Sequence, residues 1–167
     1  MRTSGLLVDA YERIAGVVHG VLDGLTETDL ATRPGPTANS IGWLVWHLTR
    51  IQDDHIADVA GTPQRWTAAG WVDRFGLGLD PADTGYGHSS EQVDAVRADA
   101  SLLRGYFDDV HAATVAYLRE LTGDELDRVV DTRWDPPVTL GVRLVSVLAD
   151  DLQHAGQAAY VRGLLAG

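Results

Sequence analysis

Apolar residues recur at spacings of three and four along four long stretches of this chain, a period that a strand cannot use and an amphipathic helix requires. The first stretch runs from about Gly5 to Gly24 and carries Leu6, Leu7, Ala10, Ile14, Val17, Val18, Val21 and Leu25. In the TETDL segment after it, Thr26 and Asp29 have the spacing of a capping box with Asp in place of Glu, and the RPGP run from Arg33 to Pro36 breaks the chain. Ser40 or Asn39 can cap the second helix, whose apolar positions Ile41, Leu44, Val45, Leu48, Ile51, Ile56 and Val59 keep the period until Gly61 stops it. A third helix is predicted from Ser89 or Ser90 to about Leu121, with Val93, Val96, Ala100, Leu103, Phe107 and Val110 on its stripe. After the DELDRVV segment, two prolines and Trp134 in RWDPPVT make a rigid connection, and Thr139 caps a fourth helix that reaches about Leu165.

Residues 61–88 have no sustained period. Loops of that length in a small domain are usually lids or binding loops, and Trp66, Trp71, Phe75 and Tyr86 predict a folded cover over one end of the bundle. The expected fold is therefore all-α: a four-helix bundle with a long irregular loop between helices 2 and 3. At 167 residues, near the size at which roughly 70% of the unfolded surface is buried around one core, a single domain over 1–167 is expected.

The fourth stripe is interrupted where it should be most apolar. Leu140, Leu144, Val147, Leu148, Ala155, Ala158 and Leu165 make the stripe, and Asp150, Asp151 and His154 break into its middle. A buried unpaired carboxylate costs several kcal/mol, comparable with the ~5–15 kcal/mol stability of a domain, so it needs a cation or strong donors. Asp150 and His154 lie four apart, on one face of a helix. In the second helix His47 shares its side with Trp43, Leu44, Ile51 and Asp54. One carboxylate and two imidazoles are metal-ligand chemistry, with Asp151 as the substitute carboxylate if the helix is rotated. Spacing alone leaves other readings open: His47 as a hydrogen-bonded structural residue, Asp150 and His154 as an ion pair, and Asp54, His55, His88 and His111 as further ligand candidates. Gln157, one turn beyond His154, can orient a ligand or serve as a surface amide. Gln157, Asp151 and Trp43 are the candidate cofactor contacts, and no catalytic residue is singled out.

Composition removes several chemistries. All 13 basic residues are Arg, dispersed and outnumbered by 24 acidic residues for a net charge of −11, which argues against nucleic acid or an acidic membrane as partner. Without Cys there is no disulfide, thiolate ligand or catalytic thiol, and without Lys no Schiff base or phosphate-loop lysine. Any thiol chemistry must borrow its thiol. No apolar run approaches the ~20 residues that span a bilayer, and Asp9 and Glu12 stand where a signal peptide would be uncharged, so a cytoplasmic protein is expected.

The strings GWLVWHL in the second helix and DDLQHAGQAAYVRG in the fourth resemble the DinB/YfiT-like superfamily of metal-binding four-helix bundles, over nearly the whole chain. In that family a second-helix His and an H-x-x-x-H pair ahead of Gly-Gln in the fourth helix bind a divalent metal. The resemblance implies His47, Asp150 and His154 as the ligands here, followed by Ala155, Gly156 and Gln157. Asp150 departs from the commoner His and is similar to the carboxylate variant of the mycothiol-dependent maleylpyruvate isomerase branch, which has Glu there. The family further implies a low-molecular-weight thiol cofactor, with mycothiol favoured by the Arg-, Ala- and Gly-rich composition, and an electrophilic small-molecule substrate. It implies a thiol S-transferase or isomerase, and pairing of bundles into a homodimer. Zn and Ni are the expected metals, with Fe and Mn sharing the same donor set. The alternative is a non-catalytic metal-binding or dimeric structural bundle, for instance a stress-related one.

Overall fold

The computed structural model describes residues 3–165; the expected domain, 1–167, extends past them at both ends. In chain order its elements are α1 (Thr3–Leu22), α2 (Glu27–Ala31), α3 (Ile41–Ala60), α4 (Arg65–Ala68), α5 (Trp71–Phe75), α6 (Ser90–Ala95) and α7 (Ala100–Glu120). A 3-10 turn (Gly123–Asp127), β1 (Val129–Asp131), β2 (Val138–Thr139) and α8 (Leu140–Leu165) complete the chain. The long helices α1, α3, α7 and α8 form the all-α bundle that the periodicity predicts. Among the described residues no helix is long and apolar enough to cross a membrane.

Local polar chemistry sets the helix ends. Thr26 and Asp29 make a reciprocal capping box at α2, Ser40 Oγ accepts from the Trp43 amide at 3.2 Å to start α3, and Gly61 ends α3 at φ 67°. Thr139 Oγ1 accepts from the Val142 amide at 3.4 Å at the start of α8. Gly42 lets α2 lie on α3, since a Cβ there would meet the Leu30 carbonyl oxygen at 3.0 Å.

Packing directions explain the long connection. Tyr11 donates to the Leu144 carbonyl and Arg162 to the Gly20 carbonyl, so α1 and α8 run parallel. His19 meets Asp108 and His111 meets Glu12, so α1 and α7 are antiparallel. His47 lies beside His154 and His55 beside Arg143, so α3 and α8 are antiparallel as well. It follows that α3 and α7 are parallel neighbours, and a chain leaving the end of α3 must travel the length of the bundle before α7 can begin. Residues 61–99 make that journey. They contain three short helices, α4, α5 and α6, where the sequence predicts an irregular loop as far as residue 88.

The single helix expected from residue 89 to 121 is two. A Ser89–Gln92 capping box starts α6, Val96 is extended, and Asp99 restarts the chain as α7 by accepting from the Leu102 amide at 2.8 Å. The buried residues Val93, Val96, Leu103 and Phe107, with half-buried Ala100 between them, keep three-and-four spacing across the break, so periodicity cannot mark it. β1 and β2 pair antiparallel, Val129 with Thr139 and Asp131 with Val138, within the Pro-rich connection.

Two apolar clusters fill the bundle. The larger gathers Ile14, Leu44, Leu48, Phe107, Ala155 and Ala158; the smaller, at the other end, gathers Tyr11, Ile56, Leu118, Leu140 and Leu144. A polar hub joins the long crossover to α3 and α7. Arg50, fully buried, donates to the Asp83 carbonyl at 3.1 Å, to Gln64 Oε1 at 2.9 Å and to Tyr106 Oη at 3.3 Å. Asp53 accepts from the Arg65 and Trp66 amides and from Tyr106 Oη, with Arg50 3.7 Å away. Burial raises the Asp53 pKa, and these donors and the Arg50 charge pull against that rise. Removing one member of a buried ion pair leaves the other uncompensated, so Arg50→Ala is expected to lose about 3–5 kcal/mol in chemical denaturation. The exposed Arg119→Ala should change stability by less than ~0.5 kcal/mol.

Candidate metal centre

His47, Asp150 and His154 come together on the facing sides of α3 and α8. One ligand atom from each lies within 4.8 Å of the others. The two imidazole rings stand 4.8 Å apart at 77°, and His154 Nε2 is 3.6 Å from Asp150 Oδ1. Antiparallel packing produces the match: one turn of α8 supplies Asp150 and His154, and the buried Ala155 and Ala158 beside them leave room for α3 to approach.

Each imidazole is fixed through its other nitrogen. His47 Nδ1 is 2.6 Å from the Thr84 carbonyl, which can only accept, so Nδ1 carries the proton and Nε2 is left with its lone pair. His154 Nδ1 lies 2.9 Å from Gln157 Oε1, which likewise accepts from it and frees Nε2. Carbonyl oxygens holding the far ring nitrogen are the outer contacts that metal-bound histidines use. Burial, as the largest cause, lowers the His47 pKa and favours the neutral, metal-binding imidazole. Asp150 Oδ2 is buried with no hydrogen-bond partner among the described residues. Two free Nε2 atoms and an unpaired carboxylate oxygen are a donor set that a divalent cation fits.

A strap from the long crossover closes over the α3 side. Besides Thr84 on His47, the Asp83 carboxylate accepts from His88 Nε2 at 2.9 Å, and His88 Nδ1 accepts from the Trp43 indole at 3.0 Å. Both nitrogens of His88 are thereby occupied, and it stands outside the three-residue cluster. Gly85 rests directly on the site at φ 91°, where a Cβ would come 2.8 Å from His47 Nδ1 and 2.9 Å from the Trp46 ring. Sequence reasoning passes over Thr84 and Gly85, since a backbone carbonyl carries no residue-type signal and glycines are frequent in this loop.

The other candidate residues have definite places. Trp43 is buried and stacks on the His47 ring at 4.5 Å and 16°, so its contact is with the imidazole. Asp151 follows Asp150 about 100° further round α8 and outside the three-residue cluster, close enough to Tyr11 of α1 for its charge to be felt there. It is fully buried, neither carboxylate oxygen has a partner among the described residues, and burial with the neighbouring Asp150 charge raises its pKa well above the carboxylate range. Asp54 and His55 lie further down α3, where His55 Nδ1 accepts from Arg143 at 3.4 Å. His111 stacks on Phe107 and faces Glu12 across the α1–α7 contact.

A family model described as mycothiol-S-transferase matches residues 6–167. A solved structure described as the conserved protein of a locus from Enterococcus faecalis is 32% identical, with a TM-score of 0.91 over 97% of this chain and 96% of that one. A comparison with curated proteins gives no match.

If Gln157 orients His154, Gln157→Ala should weaken divalent-metal affinity about 10–100-fold in calorimetric titration. Asp151→Asn, outside the three-residue cluster, should leave it within ~3-fold. Equal losses in the two variants would contradict the assignment of Gln157.

Proposed function

This chain belongs to the mycothiol-S-transferase family, and on that premise we propose that it is a metal-dependent S-transferase with mycothiol as its thiol. In this reading His47 and His154 hold a divalent cation through Nε2 and Asp150 through its carboxylate. Three protein ligands leave coordination positions open, and a thiol taken up there is held as its thiolate, the nucleophilic form. The observation that carries the reading is the pair of Nδ1–H groups committed to Thr84 and Gln157, which leaves both Nε2 lone pairs free in a cluster whose carboxylate has an oxygen unpaired among the described residues.

The chain's own residues then have distinct tasks. Trp43 and the Gly85 backbone fix the His47 ring and cover its α3 side. Arg50 anchors the Asp83 carbonyl, and with it the strap that presents the Thr84 carbonyl. The nucleophilic sulfur must come from outside, because the chain has no Cys. Zn and Ni suit the two imidazoles and one carboxylate, and Fe and Mn accept the same donors. The reading takes 1–167 as one cytoplasmic domain and the electrophile as a small molecule.

A homodimer belongs to this reading, through the outer face of α8. Val142, Val145, Ala149, Leu152, Gly156, Ala159 and Gly163 alternate at spacings of three and four, and every one is exposed. That is the seven-residue seam of a helix pair, free of charge along its length, and among the described residues a Cβ at Gly156 or Gly163 would meet nothing that explains a helical glycine. A two-fold axis would place the same stripe against itself.

Two measurements test these statements. Wild type should bind one equivalent of Zn or Ni and lose mycothiol transfer on chelation, while His47→Ala and His154→Ala should lose both metal and transfer; full metal retention in either variant rejects the ligand set. Sedimentation at micromolar concentration should give a dimer that Val145→Glu with Leu152→Glu converts to monomer. A monomeric wild type would reject the α8 seam.

A further inference from the structure

We propose that Tyr86, at the tip of the strap, closes over the electrophile and forms the outer wall of a seat for an uncharged aromatic molecule; this rests on the S-transferase reading and adds the class of its second substrate. Tyr86 is 91% exposed, more than any other large apolar side chain among the described residues. A tyrosine covers about 150–250 Å² when it is buried, and at this position nearly all of that surface is left for a partner from outside the chain.

The strap is pinned on both sides of Tyr86. On one side Thr84 accepts from His47 Nδ1, and the Gly85 backbone lies against the His47 and Trp46 rings. On the other, His88 accepts from the Trp43 indole, stacks on Trp46 at 5.8 Å and holds the Asp83 carboxylate. Trp43 itself stands beside both candidate histidine ligands, its ring 4.5 Å from His47 and 6.1 Å from His154. Tyr86 is thereby held at the rim of the cluster. His47 is buried but Asp150 and His154 are half-buried, so the cluster opens to solvent along α8.

Distances at the strap bound the reach of the ring. A Cβ on Gly85 would lie 2.8 Å from His47 Nδ1. From there across the imidazole to a cation on Nε2, and along one peptide to the Tyr86 Cα, the path is at most about 12 Å, and a tyrosine side chain extends through about half of it. What is left is room for one sulfur and one small molecule. Gly85 is packed too closely to turn. Gly87 stands at φ 73°, where an added Cβ would meet nothing among the described residues, so the adjustment of Tyr86 falls on Gly87 and on its own side-chain torsions.

Charge decides the substrate class. A divalent cation, the Asp150 carboxylate and a thiolate sum to zero, so the loaded centre draws neither an anion nor a cation strongly. What Tyr86 adds is an aromatic face, which suits a second ring. With 1-chloro-2,4-dinitrobenzene as the probe, the sulfur bonds to the ring carbon, the carbon–chlorine bond breaks and chloride leaves with the electron pair. The proton of the thiol has by then gone to solvent.

The experiment pairs turnover with chemical protection. With mycothiol, the ratio of kcat/KM for 1-chloro-2,4-dinitrobenzene to that for iodoacetamide should fall at least ~10-fold in Tyr86→Ala and be restored in Tyr86→Phe, with one equivalent of metal in both variants. An unchanged ratio in Tyr86→Ala overturns the cover and leaves the transferase reading standing. Tetranitromethane, which nitrates exposed tyrosines, gives the second readout. The S-dinitrophenyl conjugate of mycothiol should slow nitration of Tyr86 several-fold and leave that of Tyr160, 70% exposed on α8, as before. If the wild type transfers to neither electrophile, the transferase reading fails and nitration decides Tyr86 by itself: protection by the conjugate supports the cover, and no protection overturns it.

Discussion

The antiparallel contact between α3 and α8 is the constraint on which the rest of this structure turns, because it forces polar groups into a wall that would otherwise be apolar. Asp150 Oδ2 is buried there without a donor among the described residues, beside two imidazoles whose Nδ1 atoms are already committed. An unpaired buried carboxylate oxygen is costly, and a bundle keeps one only where something offsets the cost. Asp151, one residue away, has a different resolution: it faces the core, burial raises its pKa, and its neutral form is favoured. Asp150 instead shares its wall with two nitrogen lone pairs, which makes a cation the natural complement.

Topology supplies the cover. Parallel α3 and α7 oblige the chain to cross the bundle, and the crossover passes over the His47 side on its way. Arg50 ties that segment to the core through the Asp83 carbonyl and Gln64, and His88 ties it again through Trp43 and Asp83. One consequence of the four-helix arrangement is thus that the same stretch of chain orients a candidate ligand and covers its ring. The Gly85 backbone contact with His47 makes the coupling direct, since no side chain fits between them.

Much of this is legible in residue order. The stripes of α3 and α8, the Ser40 cap, the Gly61 stop and the Thr26–Asp29 capping box are local signals that the structure carries; on α1 it buries Ile14, Val18 and Val21 of the stripe but leaves Leu6 and Val17 exposed and buries Tyr11 and Ala15 instead. His47, Asp150 and His154 stand out because they interrupt apolar faces, and the fold brings them together. The break between α6 and α7 does not stand out, since Val93, Val96, Leu103 and Phe107 keep helical spacing through it; only the Asp99–Ser101 pairing marks the restart. The short helices of the crossover are held by contacts distant in sequence, such as Asp53 with the amides of Arg65 and Trp66, which no window of neighbouring residues contains. The roles of Thr84 and Gly85 are of the same kind, being set by backbone position.

The most direct examination of the central claim is a crystal structure of the zinc-loaded protein with anomalous scattering recorded at the metal edge. The account predicts one peak between α3 and α8, about 2.0–2.1 Å from Nε2 of both His47 and His154 and about 2.0–2.2 Å from an Asp150 oxygen, with Thr84 and Gln157 still on the Nδ1 atoms. A metal bound elsewhere, or one held by Nδ1 of either histidine, would contradict it.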